Sequence, residues 1–145
     1  MGKWQPATVV NFINIAMQKQ SAVASFGDHL DVCFEGYCEE SGTFTITMHP
    51  KSWMCNPAGV VHGGICATMA DQAMGLVAFG IHGGQTIAPT VQMQIAYHRP
   101  LMPNEQVKLH IRPISVGKHL IHLSVEAFCQ QGSICFSASG TFYRT

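Results

Sequence analysis

The sequence predicts an α+β domain: a long curved antiparallel β-sheet wrapped around a central α-helix, with a second helix at the N-terminus. Three observations predict it. One stretch, from about Val61 to Gly80, has helical length and is apolar on nearly every face, which suits a central helix and no surface one. Strand-like runs flank it, two before and four after. Tight turn signals, Gly117-Lys118 and Gln131-Gly132, join consecutive runs and so make neighbours antiparallel. A sheet curled around the apolar helix is the economical way to bury it.

The elements follow in order. Pro6 to about Gln20 reads as a helix, with Pro6 in the first turn and Val9, Ile13, Ala16 and Met17 at helical spacing. Asp28 to Glu39 alternates, with Leu30, Val32 and Phe34 between polar residues, and reads as a strand. Ser41-Gly42 turns the chain, and Thr43 to His49 returns as the second hairpin strand. Lys51 to Val60 holds Pro57 and Gly59 and reads as loop. The central helix follows, and Gly83-Gly84 ends it. The last four strands are Thr86–His98, Glu105–Val116, His119–Gln130 and Ser133–Tyr143.

A chain of 145 residues suits one domain and one core, here residues 1–145 with residues 1–27 as an N-terminal helical extension. Apolar residues make up 47% and charged residues 11%, so the surface is sparsely charged and is expected to be buried in an oligomer or to bind something apolar. The formal net charge is +0 and no block of like charge occurs, which argues against nucleic acid or an anionic membrane as the main partner. No signal-peptide pattern is read between Met1 and Gln20, and no uniform membrane span. Cysteines 33, 38, 55, 66, 129 and 135 lack CxxC spacing and most fall in strand-like or helical apolar contexts, so reduced thiols and a cytoplasmic location are expected.

Between Lys51 and Arg99, histidines aside, the only formally charged side chain is Asp71, inside the apolar helix. A carboxylate there costs several kcal/mol in order of magnitude unless it is paired, used or neutralised. His62-Gly63-Gly64 opens the same helix. Its first-turn N–H groups lie unpaired at the positive end of the dipole, and the glycines let a ligand reach them. That suits a carbonyl oxygen gaining negative charge. Asn56 can add an amide donor. Alternatively, the glycines serve only packing, and His62 or Asn56 caps the helix.

Asp71 lies nine residues beyond His62, about 13 Å along the axis and on the opposite face. The two cannot meet on one carbonyl within one helix. If both act, each site takes its helix start from one chain and its carboxylate from another, across a two-fold interface. Otherwise Asp71 is a buried structural acid. In the strand that follows, alternation places Thr90, Gln92, Gln94 and Ala96 on one face, and the Thr90 hydroxyl can orient a water held by Asp71.

Asn56-x5-His62-Gly63-Gly64-x6-Asp71, a strand from Thr90 to Tyr97-x-Arg99-Pro100, and the Gly117-Lys118 turn together resemble the hotdog-fold acyl-CoA thioesterases of the phenylacetate-degradation (PaaI-like) branch. The likeness runs from about Phe44 to Tyr143. It implies a hotdog fold and hydrolysis of an acyl-CoA, with coenzyme A as part of the substrate and no separate cofactor. It implies that Asp71 activates the attacking water and that Thr90, where some relatives have Ser, helps hold it. Gly63 N–H and Asn56 would polarise the thioester carbonyl, and His62 would orient. It implies sites shared between chains, in a homodimer at least and in a homotetramer by the habit of the branch. For the coenzyme A phosphates the basic candidates are Arg99, Lys108, Arg112, Lys118 and Arg144, and the resemblance favours Lys118 and His119 in the turn.

Rival readings are a hotdog hydratase or dehydratase on acyl thioesters, which needs a His–acid pair formed across chains, and a non-catalytic acyl-CoA-binding module. A direct nucleophilic role for Asp71 also stays open. No metal is expected: His119 and His122 point opposite ways on a strand, and no His/Cys/Asp cluster has ligand spacing. Cys66, without a general base at useful spacing, reads as a packed thiol. Phe79, Met74, Met69 and Trp53 either line an acyl pocket or belong to the core.

Overall fold

The computed structural model describes residues 3–19 and 23–144. Ten elements follow one another: α1 (Pro6–Gln18), α2 (Phe26–His29), β1 (Cys33–Cys38), β2 (Thr43–Met48), a 3-10 turn (Ser52–Met54), α3 (Gly63–His82), β3 (Thr90–Tyr97), β4 (Val107–Val116), β5 (Leu120–Phe128) and β6 (Ile134–Tyr143). The strands form one antiparallel sheet in the order β1-β2-β4-β5-β6-β3. The sheet curls around α3, and α1 packs on the helix's other side. This is the architecture the sequence predicts.

Several boundaries move. The expected end of α1, Gln20, lies outside the described residues; within them the helix ends at Gln18. The strand expected from Asp28 starts at Cys33, because a short helix intervenes. Ser25 opens α2, its backbone N–H donating to Asp28 Oδ2 at 2.6 Å in a capping box. α3 starts at Gly63, not Val61, because the Val61 N–H is held by Leu101 O at 2.8 Å and Val61 bridges Cys55. It runs two residues past Gly80. There Gly83, in the left-handed region at φ 107°, and Gly84 close the end with bonds to Gly80 O and Phe79 O.

α3 carries the core. Met69, Ala70, Ala73, Met74, Val77 and Ala78 are fully buried beneath Phe44, Ile46, Leu109, Ile111, Ile121 and Phe142 of the sheet. Each of the larger side chains contributes about 1.5–3 kcal/mol by leaving water. α3 is the described helix with the length and composition of a membrane span, and burial under the sheet accounts for that composition. Its close contact with α1 depends on Gly80: a Cβ there would lie 2.8 Å from Val9 Cγ1.

After α3 the chain crosses to the far edge and adds β3 beside β6. A bulge separates Thr90, opposite Phe142, from Gln92, opposite Thr141. The bulge corrects the expected polar row. Gln92, Gln94 and Ala96 stay together on the outer face beside Thr141, Ser139 and Ser137, while Thr90 is turned inward towards α3.

Candidate active site

The inward turn of Thr90 brings it to Asp71. Thr90 Oγ1 donates to Asp71 Oδ1 at 2.7 Å, joining the edge strand to the middle of α3. Asp71 is half-buried, not sealed in the core as an acid inside an apolar helix could be. Its Oδ1 has a partner, and the carboxylate opens onto a cleft of about 370 Å³. The cleft walls are Ala16 of α1, Leu76 and Phe79 of α3, and Ile87 and Pro89 of the segment entering β3. The spacing Asp71, Gly75, Phe79 is i, i+4, i+8, so the three line up along one helix face. Gly75 leaves the floor open between the carboxylate and the Phe79 ring. Of the other pocket candidates, Met69 and Met74 are core, and Trp53 is exposed against Phe26 and His29.

A second cluster forms at the start of α3. His62 is the N-cap, and its Nδ1 accepts from the Gly64 N–H at 2.9 Å. The N–H groups of Ile65 and Cys66 go to His62 O. Among the described residues, no acceptor takes the Gly63 N–H. Tyr97, which in the sequence only ends the motif strand and carries no role, donates its Oη–H to Gly63 O at 2.7 Å. Desolvation raises its phenol above the ordinary value, so the hydroxyl is a donor at neutral pH. Nothing local signals this contact: Tyr97 is 34 positions from Gly63, and only the fold brings them together. Asn56 uses Oδ1 to accept from Ala58 and Val60 N–H, closing its own loop. The two bonds use Oδ1 alone and leave the Nδ2 donors out of that loop's hydrogen bonding.

The two clusters do not meet within the chain. Gly63 and Asp71 are separated by about 12 Å of helix rise, and β3 touches both, Thr90 at one and Tyr97 at the other.

The basic candidates divide the same way. Arg99 is exposed at the Gly63 end, its backbone N–H on Cys135 O. Lys118 and His119 lie at the Thr90 end: His119 stacks on Tyr143, whose N–H donates to Pro89 O, and Arg144 Nη1 donates to Gly117 O. Lys108 and Arg112 are elsewhere, on β4, three strands from β3. Arg112 is bonded to Ser41 O of the β1–β2 turn. The Cys66 thiol is buried and pushed up to about 11, too high for a nucleophile at neutral pH. Among the described residues, no three of His, Cys, Asp and Glu converge as a metal site does.

Residues 58–136 match the thioesterase superfamily, more than half of the chain. The chain belongs to that superfamily. It is 30% identical over 132 residues to an uncharacterized protein of Schizosaccharomyces pombe, covering 85% of this chain and 74% of that one. Its fold matches the PaaI protein of the E. coli phenylacetic acid degradation operon with a TM-score of 0.80 at 19% identity, over 97% of this chain and 96% of that one. It also matches a Streptococcus mutans protein bound to acetyl CoA, with a TM-score of 0.71 at 21% identity, over 87% and 95% of the two chains. These likenesses establish the hotdog fold.

Proposed function

We propose that this protein is an acyl-CoA thioesterase, hydrolysing the thioester of an aryl- or medium-chain acyl-CoA to the free acid and coenzyme A. The observation that carries the reading is the Thr90–Asp71 hydrogen bond of 2.7 Å at the mouth of an apolar cleft. With Oδ1 holding the Thr90 hydroxyl, Oδ2 is free to take a proton, and Thr90 Oγ1 retains lone pairs for the water that supplies it. That water attacks the thioester carbonyl carbon and gives its proton to Asp71. The oxygen that becomes negative is held by the Gly63 N–H and the Asn56 Nδ2 of the partner subunit. The intermediate collapses, the C–S bond breaks, and the proton on Asp71 goes to the leaving thiolate. Water and carboxylate suffice, so no cofactor is called for.

The shared site follows from the sheet edge. Among the described residues no strand pairs with the outer edge of β3; Val91 on it is 59% exposed and Ile87, just before it, 81%, a surface that invites a second strand. A two-fold copy pairing antiparallel there sets the Thr90 end of one β3 against the Tyr97 end of the other. Each Asp71 then faces the α3 start of its partner. The same pairing brings Arg99 of one chain towards Lys118 and His119 of the other, a cationic rim suited to the phosphates of coenzyme A. The cleft beside Asp71 takes the acyl group; about 370 Å³ is at the small end of ligand sites. A homodimer is the minimum assembly, and a homotetramer is compatible with it. The setting we propose is cytoplasmic, in keeping with six free thiols. The Streptococcus mutans neighbour bound to acetyl CoA supports the substrate class.

Thiol release over a panel of aryl- and alkyl-CoAs tests the proposal. Asp71→Asn is expected to lower kcat by at least about a hundredfold. Enoyl-CoA hydration without thiol release would mark a hydratase, and tight binding without turnover a binding module.

A further inference from the structure

We propose that Tyr97 is a positioning residue: together with His62 it clamps the peptide group between Gly63 and Gly64 and so fixes the place of Gly63, whose N–H faces the substrate carbonyl. The inference rests on the thioesterase reading above. What carries it is that one peptide group is gripped at both ends. Its carbonyl, Gly63 O, accepts from Tyr97 Oη at 2.7 Å, and its N–H, on Gly64, donates to His62 Nδ1 at 2.9 Å.

A peptide group is planar and rigid. Bonds at its two opposite ends therefore fix its rotation, and with it ψ of Gly63 and φ of Gly64. Both residues are glycines, the least restrained of all. Without the two bonds, this peptide would have wide freedom right beside the donor: the Gly63 N–H belongs to the preceding peptide group, whose carbonyl, His62 O, is held by the Ile65 and Cys66 N–H, and the clamp fixes Gly63 on its other side. The clamp leaves the Gly63 N–H as the first-turn donor without an acceptor among the described residues, since Gly64 N–H goes to the His62 ring and Ile65 and Cys66 N–H go to His62 O.

The glycines themselves show how close the clamp is. A Cβ on Gly63 would lie 3.2 Å from Tyr97 Oη and 3.3 Å from its Cζ, and one on Gly64 would lie 3.2 Å from His62 Nδ1. The Gly-Gly pair thus admits two rings as well as a ligand. The arrangement also assigns the His62 tautomer: Nδ1 accepts, so the neutral ring carries its proton on Nε2. His62 is an orienting group here, with its Nδ1 occupied by the helix and not available as a base.

The test is Tyr97→Phe, which removes the Oη and keeps the ring. The expected result is a kcat about tenfold lower with KM within about twofold, because a misaimed donor weakens the transition state more than the bound substrate. His62→Asn keeps a side-chain acceptor at the N-cap and is expected to recover at least about tenfold over His62→Ala. The double variant Tyr97→Phe with His62→Ala should lose less than the product of the single losses, since both act on one peptide group. Amide exchange at Gly64, followed by NMR, should speed up in Tyr97→Phe. A Tyr97→Phe enzyme with unchanged kcat, a loss confined to KM, or His62→Asn as impaired as His62→Ala would overturn the proposal. If the wild type releases no thiol from any acyl-CoA, the functional reading fails; Gly64 exchange unchanged in Tyr97→Phe would then show separately that the clamp fails too.

Discussion

The Thr90 hydroxyl has one proton to give, and it goes to Asp71 Oδ1. That direction decides what the pair can do. In the proposed mechanism Asp71 then keeps one oxygen for the attacking water, and Thr90 would meet the same water only as an acceptor. Thr90→Val keeps the shape and removes the hydroxyl; a lost hydrogen bond to a charged group is worth about 1.5–3 kcal/mol, so kcat should fall roughly ten- to hundredfold. Thr90→Ser should stay within about threefold of wild type, and steady-state thiol release measures both. The thiols divide as clearly. Cys66 is buried and pushed up to about 11, so at pH 8 its thiolate is about a thousandth of the total, whereas Cys33 and Cys38 are exposed. Raising the pH through that value is what would release the Cys66 thiolate. Brief iodoacetamide treatment at pH 8 should label Cys33 and Cys38 and leave Cys66 unmodified, as peptide mass mapping would show.

At the scale of elements, α3 was legible because its composition answers to burial alone: apolar on every face, opened by His62-Gly63-Gly64 and closed by Gly83-Gly84. Asp71 stood out there for the same reason, as the charge that burial does not explain. What could not be read was set by partners distant in the chain. The bulge that turns Thr90 away from Gln92 depends on pairing with β6, and simple alternation therefore put the two on one face. The strand expected over Asp28 to Glu39 takes in the last two residues of α2, because four residues give no helical period, and the capping box is a local bond that competes with the alternating pattern. Gly80 is a case where close packing, not helix propensity, decides the residue. In Gly80→Ala the new Cβ would stand 2.8 Å from Val9 Cγ1 and 3.1 Å from Val9 O. Forcing α1 off α3 should cost about 1–3 kcal/mol, the usual penalty for overpacking. A thermal melt should show Tm lower by roughly 3–10 °C; an unchanged Tm would mean that α1 is not held against α3 as described.

For the whole molecule, the feature that matters most is the place of β3. It follows α3 directly in sequence yet lies at the far edge of the sheet, carrying Thr90 at one end and Tyr97 at the other. Helix geometry in the sequence already separated the carboxylate from the glycine start. The sheet order, a non-local property, supplies the edge at which a two-fold copy would rejoin them. The proposed hydrolysis therefore depends on sites shared between subunits. Subunit mixing tests it most directly: Asp71→Asn and Asn56→Ala proteins, each nearly inactive alone, are unfolded together, refolded as a mixture and assayed for thiol release. If each site takes Asp71 from one chain and Asn56 from the other, half of the dimers are mixed and each has one intact site, so activity should return to about a quarter of wild type. Activity no higher than that of the two separate variants, in a mixture shown to contain mixed dimers, would contradict the account.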